Sequence, residues 1–579
     1  MTKITKTIVR RVVDDTVPDN LPGDLHPVLR RTYRARQVYA PQELDRSFER
    51  LLPPTRLKDI DRAVLLLLEL LTLRGRIVVV GDFDADGATS SALVVRALRQ
   101  MGAAHVEFLV PNRFEYGYGL TPEIVALAAE RKPDLIITVD NGISSVEGVA
   151  TARSRGIRVL ITDHHLPGSI LPDADAMVNP NQPGDTFPSK HLAGVGVAFY
   201  LMAALRARLR AAGWFAERNI PEPKVAQWLD LVALGTVADL VPLDHNNRIL
   251  VAQGLARMGA GRLSEGIRAL VAVSGRNVER LTTSDLGFCL APRLNAAGRL
   301  ADMSLGIECL LTDDPARAMA IAAQLDSLNR ERRAIEAEMQ SQALAAVDSL
   351  RLDGAALPRG VCLYDVAWHQ GVIGLVASRI KERLHRPVVA FAPGSERELK
   401  GSARSIPGLH IRDALDAVAT RHPGLLTRFG GHAMAAGLTL PAVHLERFRE
   451  AFEDEVSRRL SDDDLQGRVV SDGELTDDDL NVALADLLRH AGPWGQNFPE
   501  PLFDGVFEVL ERNVVGERHL KLFVRQQGRR RLEAIGFHLA PDGTAPEWTR
   551  IHAAYRLDVN DYRGTRALQL VLEHVEPLG

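Results

Sequence analysis

Between Arg76 and Pro180 the chain alternates short apolar runs with helical patterns: RIVVV, TSSALVVRALRQMG, VEFLV, TPEIVALAAERK, LIITVD, SSVEGVATARSRG and RVLITD. That rhythm reads as a parallel β-sheet with helices on its faces. In such a sheet, functional side chains gather just beyond the carboxyl ends of the strands. The acidic and histidine motifs of this chain fall at those ends.

Over 579 residues several domains are expected, because one hydrophobic core rarely organises so long a chain. Hydrophobic residues make up 46% and charged residues 25%, which are ordinary globular values, and the net charge of −4 gives no whole-chain basic signature. Three dispersed cysteines, Cys289, Cys309 and Cys362, form no CxxC pair, which excludes a disulfide framework or zinc ribbon and fits a cytoplasmic protein. The basic start MTKITKTIVRR lacks an apolar h-region, and Ala63 to Leu73 is interrupted by Glu69, so neither export nor a membrane anchor is expected.

The remaining organisation follows from periodicity. A proline- and glycine-free polar run from about Pro315 to Leu350 predicts one long helix bridging two lobes, or a helical hairpin broken near Asn329. A second strand–loop–helix–strand segment, GVCLYDVAWHQGVIGLVASRIKERLHRPVVAFAP, ends with FGGHAMAAGLTL and a charged helix. After an acidic linker at Ser461, five β-rich stretches suit a small barrel of the OB type, a pattern shared with other small barrels. The expected organisation is an N-terminal extension (1–45), a parallel-sheet α/β domain (46–310), a connecting helix (311–352), a smaller mixed α/β domain (353–462) and a C-terminal OB-like β-barrel (463–579).

Four segments carry the chemistry. In VVVGDFDADGAT, Asp82 and Asp84 are alternate residues that can aim two carboxylates at one point, as hard divalent cations require. Asp86, ahead of Gly87, reads as a turn or helix-capping residue. Asp140 in LIITVDNG ends an apolar strand, where it caps a turn or joins a metal site. In RVLITDHHLPG, adjacent His164 and His165 cannot point the same way from an extended strand, so one suits a metal and its neighbour a phosphate. Asp239 interrupts an apolar helical pattern, DLVALGTVADLVPL, which calls for a hydrogen-bonded cap or, given the other acidic strand ends, a metal. Together Asp82, Asp84, Asp140, His164, His165 and Asp239 supply enough oxygen and nitrogen ligands for two cations sharing a carboxylate. No Gly-rich P-loop is present, so ATP-driven chemistry is unsupported.

GDFDADG, VDNG, TDHH and GTVADLVPL, in that order, resemble the motifs of the DHH phosphoesterase superfamily. APRLNAAGR and FGGHAMAAG resemble its single-strand-specific 5′-to-3′ exonucleases. The resemblance implies a DHH domain and a smaller DHH-associated domain joined by the long helix, with substrate in the groove between them. It implies two Mn²⁺ or Mg²⁺ ions, with Asp84, Asp140, His164 and Asp239 matching one metal set, Asp82 helping to hold the second ion, Asp140 bridging, and His165 on the scissile phosphate. It further implies a 5′-phosphate pocket built from Arg113, Ser402 and Arg404, whose plain alternative is a surface arginine and a polar loop.

Other residues suit a polymer substrate. Arg293, Asn295 and Arg299 alternate with small residues in APRLNAAGRL, which lets backbone approach a ligand while side chains donate to phosphates. Gly430 and Gly431 allow His432 close approach to a groove, with a buried turn as the rival reading. Tyr116 and Tyr118 suit base stacking or packing. Lys521, Arg525, Arg529, Arg530 and Arg531 form either a phosphate-binding cluster or a solvated hairpin tip. The expected substrate is single-stranded DNA with a 5′ end, degraded by a monomer; family resemblance adds single-strand-binding protein and a RecQ-type helicase as partners in repair. A small-substrate phosphoesterase of oligoribonuclease or pyrophosphatase type, which usually needs fewer domains, and a non-catalytic single-strand-binding scaffold, disfavoured by intact ligands, are the competing readings.

Overall fold

The computed structural model describes residues 6–110, 119–352, 357–394, 397–526, 528, 530–540, 542–562 and 565–578. Arg113, Tyr116, Tyr118 and Arg529 lie outside the described residues. The chain divides into two compact units, one of Val13–Asn329 with Leu487–Glu500, the other of Met1–Val12, Arg330–Asp486 and Pro501–Gly579.

The first unit is built on a five-stranded sheet ordered His105–Leu109, Arg76–Gly81, Leu135–Val139, Arg158–Thr162 and Ala176–Val178, parallel throughout. Ile77, Val79, Val139 and Leu160 turn toward a core shared with the helices Ile60–Leu73, Ala85–Gln100 and Gly194–Ala211. Val78, Val80, Ile136 and Ile161 turn the other way, against Pro122–Ala129 and Val146–Ser154. Both faces are covered, and for that reason the strands read as unbroken apolar runs. The helix Ala85–Gln100 is buried nearly all round and packs on both Gly194–Ala211 and Leu229–Ala238.

Residues 487–500, expected within the barrel segment, cluster with this first unit. Trp494 and Phe498 stack with each other (5.1 Å between ring centroids) and with Tyr33 (6.1 and 6.4 Å). The Tyr33 hydroxyl donates to the Ala491 carbonyl at 2.9 Å, and the Arg248 guanidinium lies 4.3 Å from the Phe498 ring. The paired rings of Trp494 and Phe498 complete their burial by reaching back to Tyr33 and Arg248, residues far earlier in the chain.

The helix Pro315–Leu352 runs 38 residues without a break, which removes the hairpin alternative; the division between the units falls within it. At 1.5 Å per residue it extends about 57 Å. The second unit contains a mixed sheet ordered Arg428–Gly431, Ala435–Pro441, Glu398–Arg404, Val388–Pro393 and Val361–Tyr364, parallel only at the last pair. It also contains the expected five-stranded barrel, closed in the order Phe503–Val515, His519–Arg525, Leu532–Gly536, Thr565–Pro577 and Arg550–Tyr562. Among the described residues no helix is long and apolar enough to cross a membrane.

The segment expected as an extension, 1–45, is divided between the units. Thr7–Arg10 forms a strand parallel to Arg468–Ser471. The Ile8 N–H donates to the Glu576 carboxylate at 2.8 Å, and Arg10 reaches the buried Asp504, Nη2 to Oδ2 at 2.8 Å. Ser471 and His552 also bond Asp504. Burial opposes ionisation of this carboxylate, but the hydrogen bonds from Arg10, Ser471 and His552 outweigh it and hold its pKa at about 2. A depressed carboxylate stabilises the fold above its unfolded value near 3.8 and ceases to do so as pH falls toward 2. Hydrogen exchange, corrected for intrinsic rates, is therefore expected to show protection of residues 7–10 and 503–508 falling between pH 4 and 2. In Asp504→Asn, the loss of a charged partner, about 2 kcal/mol, is expected to lower that protection already at pH 7 and flatten its pH dependence.

Candidate metal centre

The carboxyl edge of the parallel sheet delivers the acidic residues. Asp82 follows the strand Arg76–Gly81, Asp140 follows Leu135–Val139, and Asp163 follows Arg158–Thr162. Asp84 is the N-cap of the helix Ala85–Gln100, where one carboxylate oxygen accepts from the Asp86 and Gly87 N–H groups at 2.9 and 3.0 Å. Its second oxygen is left to face the site. Asp140 is buried and held at φ 61°, a left-handed conformation that aspartate tolerates at some cost.

Ligand atoms of Asp82, Asp84 and Asp140 lie within 4.8 Å of one another, as do those of Asp140, His164 and His165, and those of Asp86, His164 and Asp239. All six residues expected as ligands are thus brought together, with Asp140 common to two groups. The grouping differs in one respect from the expected metal set: Asp84 falls with Asp82 and Asp140, while Asp239 falls with His164 and Asp86. His164 Nε2 lies 3.1 Å from Asp140 Oδ1 and 3.5 Å from Asp239 Oδ2. Asp239 stands at the C-cap of the helix Leu229–Ala238. The helix dipole disfavours an anion at that end, so Asp239 is not there to cap the helix.

Two residues of the site were not assigned to it from sequence. Asp86, expected as a turn or cap of its own helix, is wholly buried and accepts from the Gly194 and Val195 N–H groups at 2.6 and 2.9 Å. It caps a helix 108 residues away while facing His164 and Asp239. The three-aspartate spacing was its only signal, since burial comes from packing. Asp163 positions the histidine pair: Oδ1 receives the His164 and His165 N–H groups at 2.7 and 3.1 Å and lies 2.7 Å from His165 Nδ1, while Oδ2 receives the Ile143 N–H at 2.9 Å. Its strand-end position, matching that of Asp140, was the available clue. The amides of Asn179 and Asn181 fix the His165 and His164 carbonyls at 3.0 and 2.6 Å.

Close packing admits only glycine at two points of this scaffold. A Cβ at Gly194 would lie 2.6 Å from Asp140 Cβ, and one at Gly298 would lie 1.8 Å from the Phe83 carbonyl oxygen. The second contact presses the helix Ala291–Leu300 onto the Asp82–Asp84 loop, where Asn295 Oδ1 accepts the Ala85 N–H at 2.8 Å. Asn295 therefore braces the loop. Arg293, expected to donate to phosphate, is buried and bonded to Asp326 at 2.8 Å and to the Cys289 carbonyl, so its donors are engaged within the protein. Arg299 sits in the last turn of the same helix.

The electrostatics call for a cation. Burial, then the charge of Asp239, push Asp86 up to about 7; burial and Asp84 push Asp239 up to about 8. Burial followed by Asp86, Asp84 and Asp239 raises Asp140 well above the carboxylate range. Burial and neighbouring His165 lower His164, whereas at His165 the Asp163 hydrogen bond and charge overcome burial and raise the pKa to about 9. Carboxylates so crowded resist ionising together unless positive charge lies among them. An oxygen-rich set with imidazole and no thiolate fits Mn²⁺ or Mg²⁺.

The second unit holds the remaining expected residues. On the strand Glu398–Arg404, Arg404 Nη1 donates to Ser402 Oγ at 2.9 Å. Both sit against the start of the helix Ile373–Leu384, since a Cβ at Gly374 would lie 2.6 Å from Arg404 Nη2 and 2.9 Å from Ser402 Oγ. His432 is exposed at the turn between Arg428–Gly431 and Ala435–Pro441, not buried in it. Three of the barrel's basic residues are ion-paired, Lys521 with Glu533, Arg525 with Glu508 and Arg531 with Glu511 at 3.0, 2.6 and 2.8 Å, and Arg530 donates to the Leu480 carbonyl.

Family models match residues 76–236 (DHH family, N-terminal domain), 358–458 (DHHA1 domain) and 471–574 (RecJ OB domain). The single-stranded-DNA-specific exonuclease RecJ of Dickeya dadantii is 55% identical over the whole of both chains, and that of Escherichia coli is 53% identical over 98% of this chain and 99% of its own. Among solved structures, RecJ from Thermus thermophilus in complex with Mn²⁺ matches 96% of this chain and 76% of its own, with a TM-score of 0.79 and 31% identity; its Mg²⁺ complex gives 0.73 and 30% over the same shares. With full-length identity above one half and matches to the DHH, DHHA1 and RecJ OB domains along its length, the chain belongs to the RecJ family.

Proposed function

We propose that the chain is a single-stranded-DNA-specific exonuclease that hydrolyses phosphodiesters with Mn²⁺ or Mg²⁺, releases 5′-mononucleotides from the 5′ end and acts in DNA repair and recombination. The observation that carries this reading is the convergence of Asp82, Asp84, Asp86, Asp140, Asp239 and the two histidines at one sheet edge, in a chain so similar to curated RecJ exonucleases. Asp82, Asp84 and Asp140 would hold one ion and His164 with Asp239 a second, Asp140 serving both. Bound ions supply charge to the phosphate and lower the pKa of water.

The chain's own residues have separate tasks. Asp163 holds His165 through Nδ1, so that Nε2 is the atom that faces a phosphate oxygen. The Asp84 cap and the Asn295 brace fix the loop between Asp82 and the helix, keeping two carboxylates in one orientation before substrate arrives. Arg404, Ser402 and the N-terminus of the helix Ile373–Leu384 together form a niche for a dianion, which supports their assignment to the 5′ phosphate. Arg113 completes that assignment by resemblance. A single-strand-binding protein and a RecQ-type helicase are the expected partners.

Digestion of single-stranded DNA labelled at either end, with Mn²⁺, is expected to release 5′-mononucleotides from the 5′ end only, and slowly from blunt duplex. Asp84→Ala is expected to abolish this; tight DNA binding without cleavage in any divalent metal would sink the nuclease reading. Asp163→Asn is expected to lower kcat by roughly 10- to 100-fold with KM for DNA little changed, because it unlocks His165 without removing it. Arg404→Ala is expected to raise KM roughly tenfold or more for 5′-phosphorylated ends and to leave 5′-hydroxyl ends unaffected, a comparison that isolates end recognition from chemistry.

A further inference from the structure

A cavity of about 240 Å³ lies in the first unit at the far ends of the two helices that carry Asp84 and Asp239. Arg96 and Gln100 come from the last turns of Ala85–Gln100, and Asp230 and Leu231 from the first turn of Leu229–Ala238. The 16-residue helix separates Asp84 from this cavity by about 24 Å. It is therefore not a branch of the metal centre.

Its chemistry is cationic and amide-rich. Arg257, in the last turn of the helix His245–Gly259, and Arg262 meet across one tight turn, closed by Gly261 at φ 73° and by the Arg262 N–H donating to the Arg257 carbonyl at 3.0 Å. Arg262 is exposed, and Arg257 Nε is buried without a hydrogen-bond partner among the described residues. Burial, then the neighbouring charge of Arg262, lower the proton affinity of Arg257. Of the other charged groups, Arg96 is committed to the Leu310 and Thr312 carbonyls and Asp313, while Asp230 accepts the Leu231 and Ser264 N–H groups and its charge also acts on Arg257. Gln100 Oε1 accepts from Gln227 Nε2 and Trp228 Nε1 at 2.7 and 3.1 Å, which leaves the Gln100 amide N–H groups and the Gln227 carbonyl to line the cavity.

We propose that this cavity binds a phosphomonoester, with Arg257 and Arg262 clasping the dianion and the Gln100–Gln227 pair meeting the group it esterifies. Two adjacent guanidinium groups repel each other, the amide-tied carboxylate of Asp230 offsets only part of their charge, and a dianion turns the remaining repulsion into paired charge-assisted hydrogen bonds. The volume suits a phosphate with a small appendage and is too small for a polymer. Inorganic phosphate and a nucleoside 5′-monophosphate, the product class of the proposed reaction, share this chemistry. The site itself does not depend on the nuclease reading.

The test is calorimetric titration of the full chain in EDTA with inorganic phosphate, with deoxyadenosine 5′-monophosphate and with deoxyadenosine. Saturable binding of both phosphates but not of deoxyadenosine is expected, weakened roughly tenfold or more by Arg257→Gln or Arg262→Gln and unchanged by Asp84→Asn. A monophosphate that binds more tightly than free phosphate identifies the nucleotide as the natural source; equal affinities identify phosphate alone. Digestion of end-labelled DNA at the wild-type rate verifies that each arginine variant is folded, and the exposed Arg262 carries the comparison if Arg257→Gln does not fold. The proposal is overturned if neither phosphate binds at about 10 mM, far above the range of a built anion site, or if binding is retained undiminished in both arginine variants.

Discussion

Five carboxylates forced into one buried edge are the interaction on which the rest of the first unit depends. Left alone they repel, and burial makes each charge harder to sustain. The protein holds them together by tying down backbone groups around them: Asp84 caps its helix, Asp86 caps another, Asp163 gathers the histidine loop, and the two asparagines pin the histidine carbonyls. The fold thus stores an unfavourable arrangement that bound cations relieve, which is what a preorganised electrostatic site requires.

Much of this was legible in the residues because the sheet imposes its own grammar. A parallel strand buried on both faces is an apolar run, and its last residue marks the functional edge, so Asp82, Asp140 and the histidine pair were readable directly. The continuous helix Pro315–Leu352 was readable from the absence of breakers. The barrel's five strands followed from turn spacing.

What stayed hidden was set by partners distant in sequence. Asp86 looks like a local cap until the start of the helix Gly194–Ala211 is packed against it. Arg293 looks like a phosphate ligand until Asp326 is brought beside it. Lys521 and Arg525 look like part of a DNA-binding patch, yet their glutamate partners stand on neighbouring strands and become visible only through register. Residues 487–500 gave no local sign that Tyr33 would receive their rings.

The small strand Thr7–Arg10 has a consequence for biosynthesis. Its ladder partner lies at Arg468–Ser471, its carboxylate anchor at Asp504, and a further anchor at Glu576. A ribosome emits this strand hundreds of residues before all three partners. The segment must therefore wait unpaired until those partners emerge, while the parallel sheet and its acidic edge can already assemble. Closure of the barrel and capture of that waiting strand thus come after the acidic edge can form.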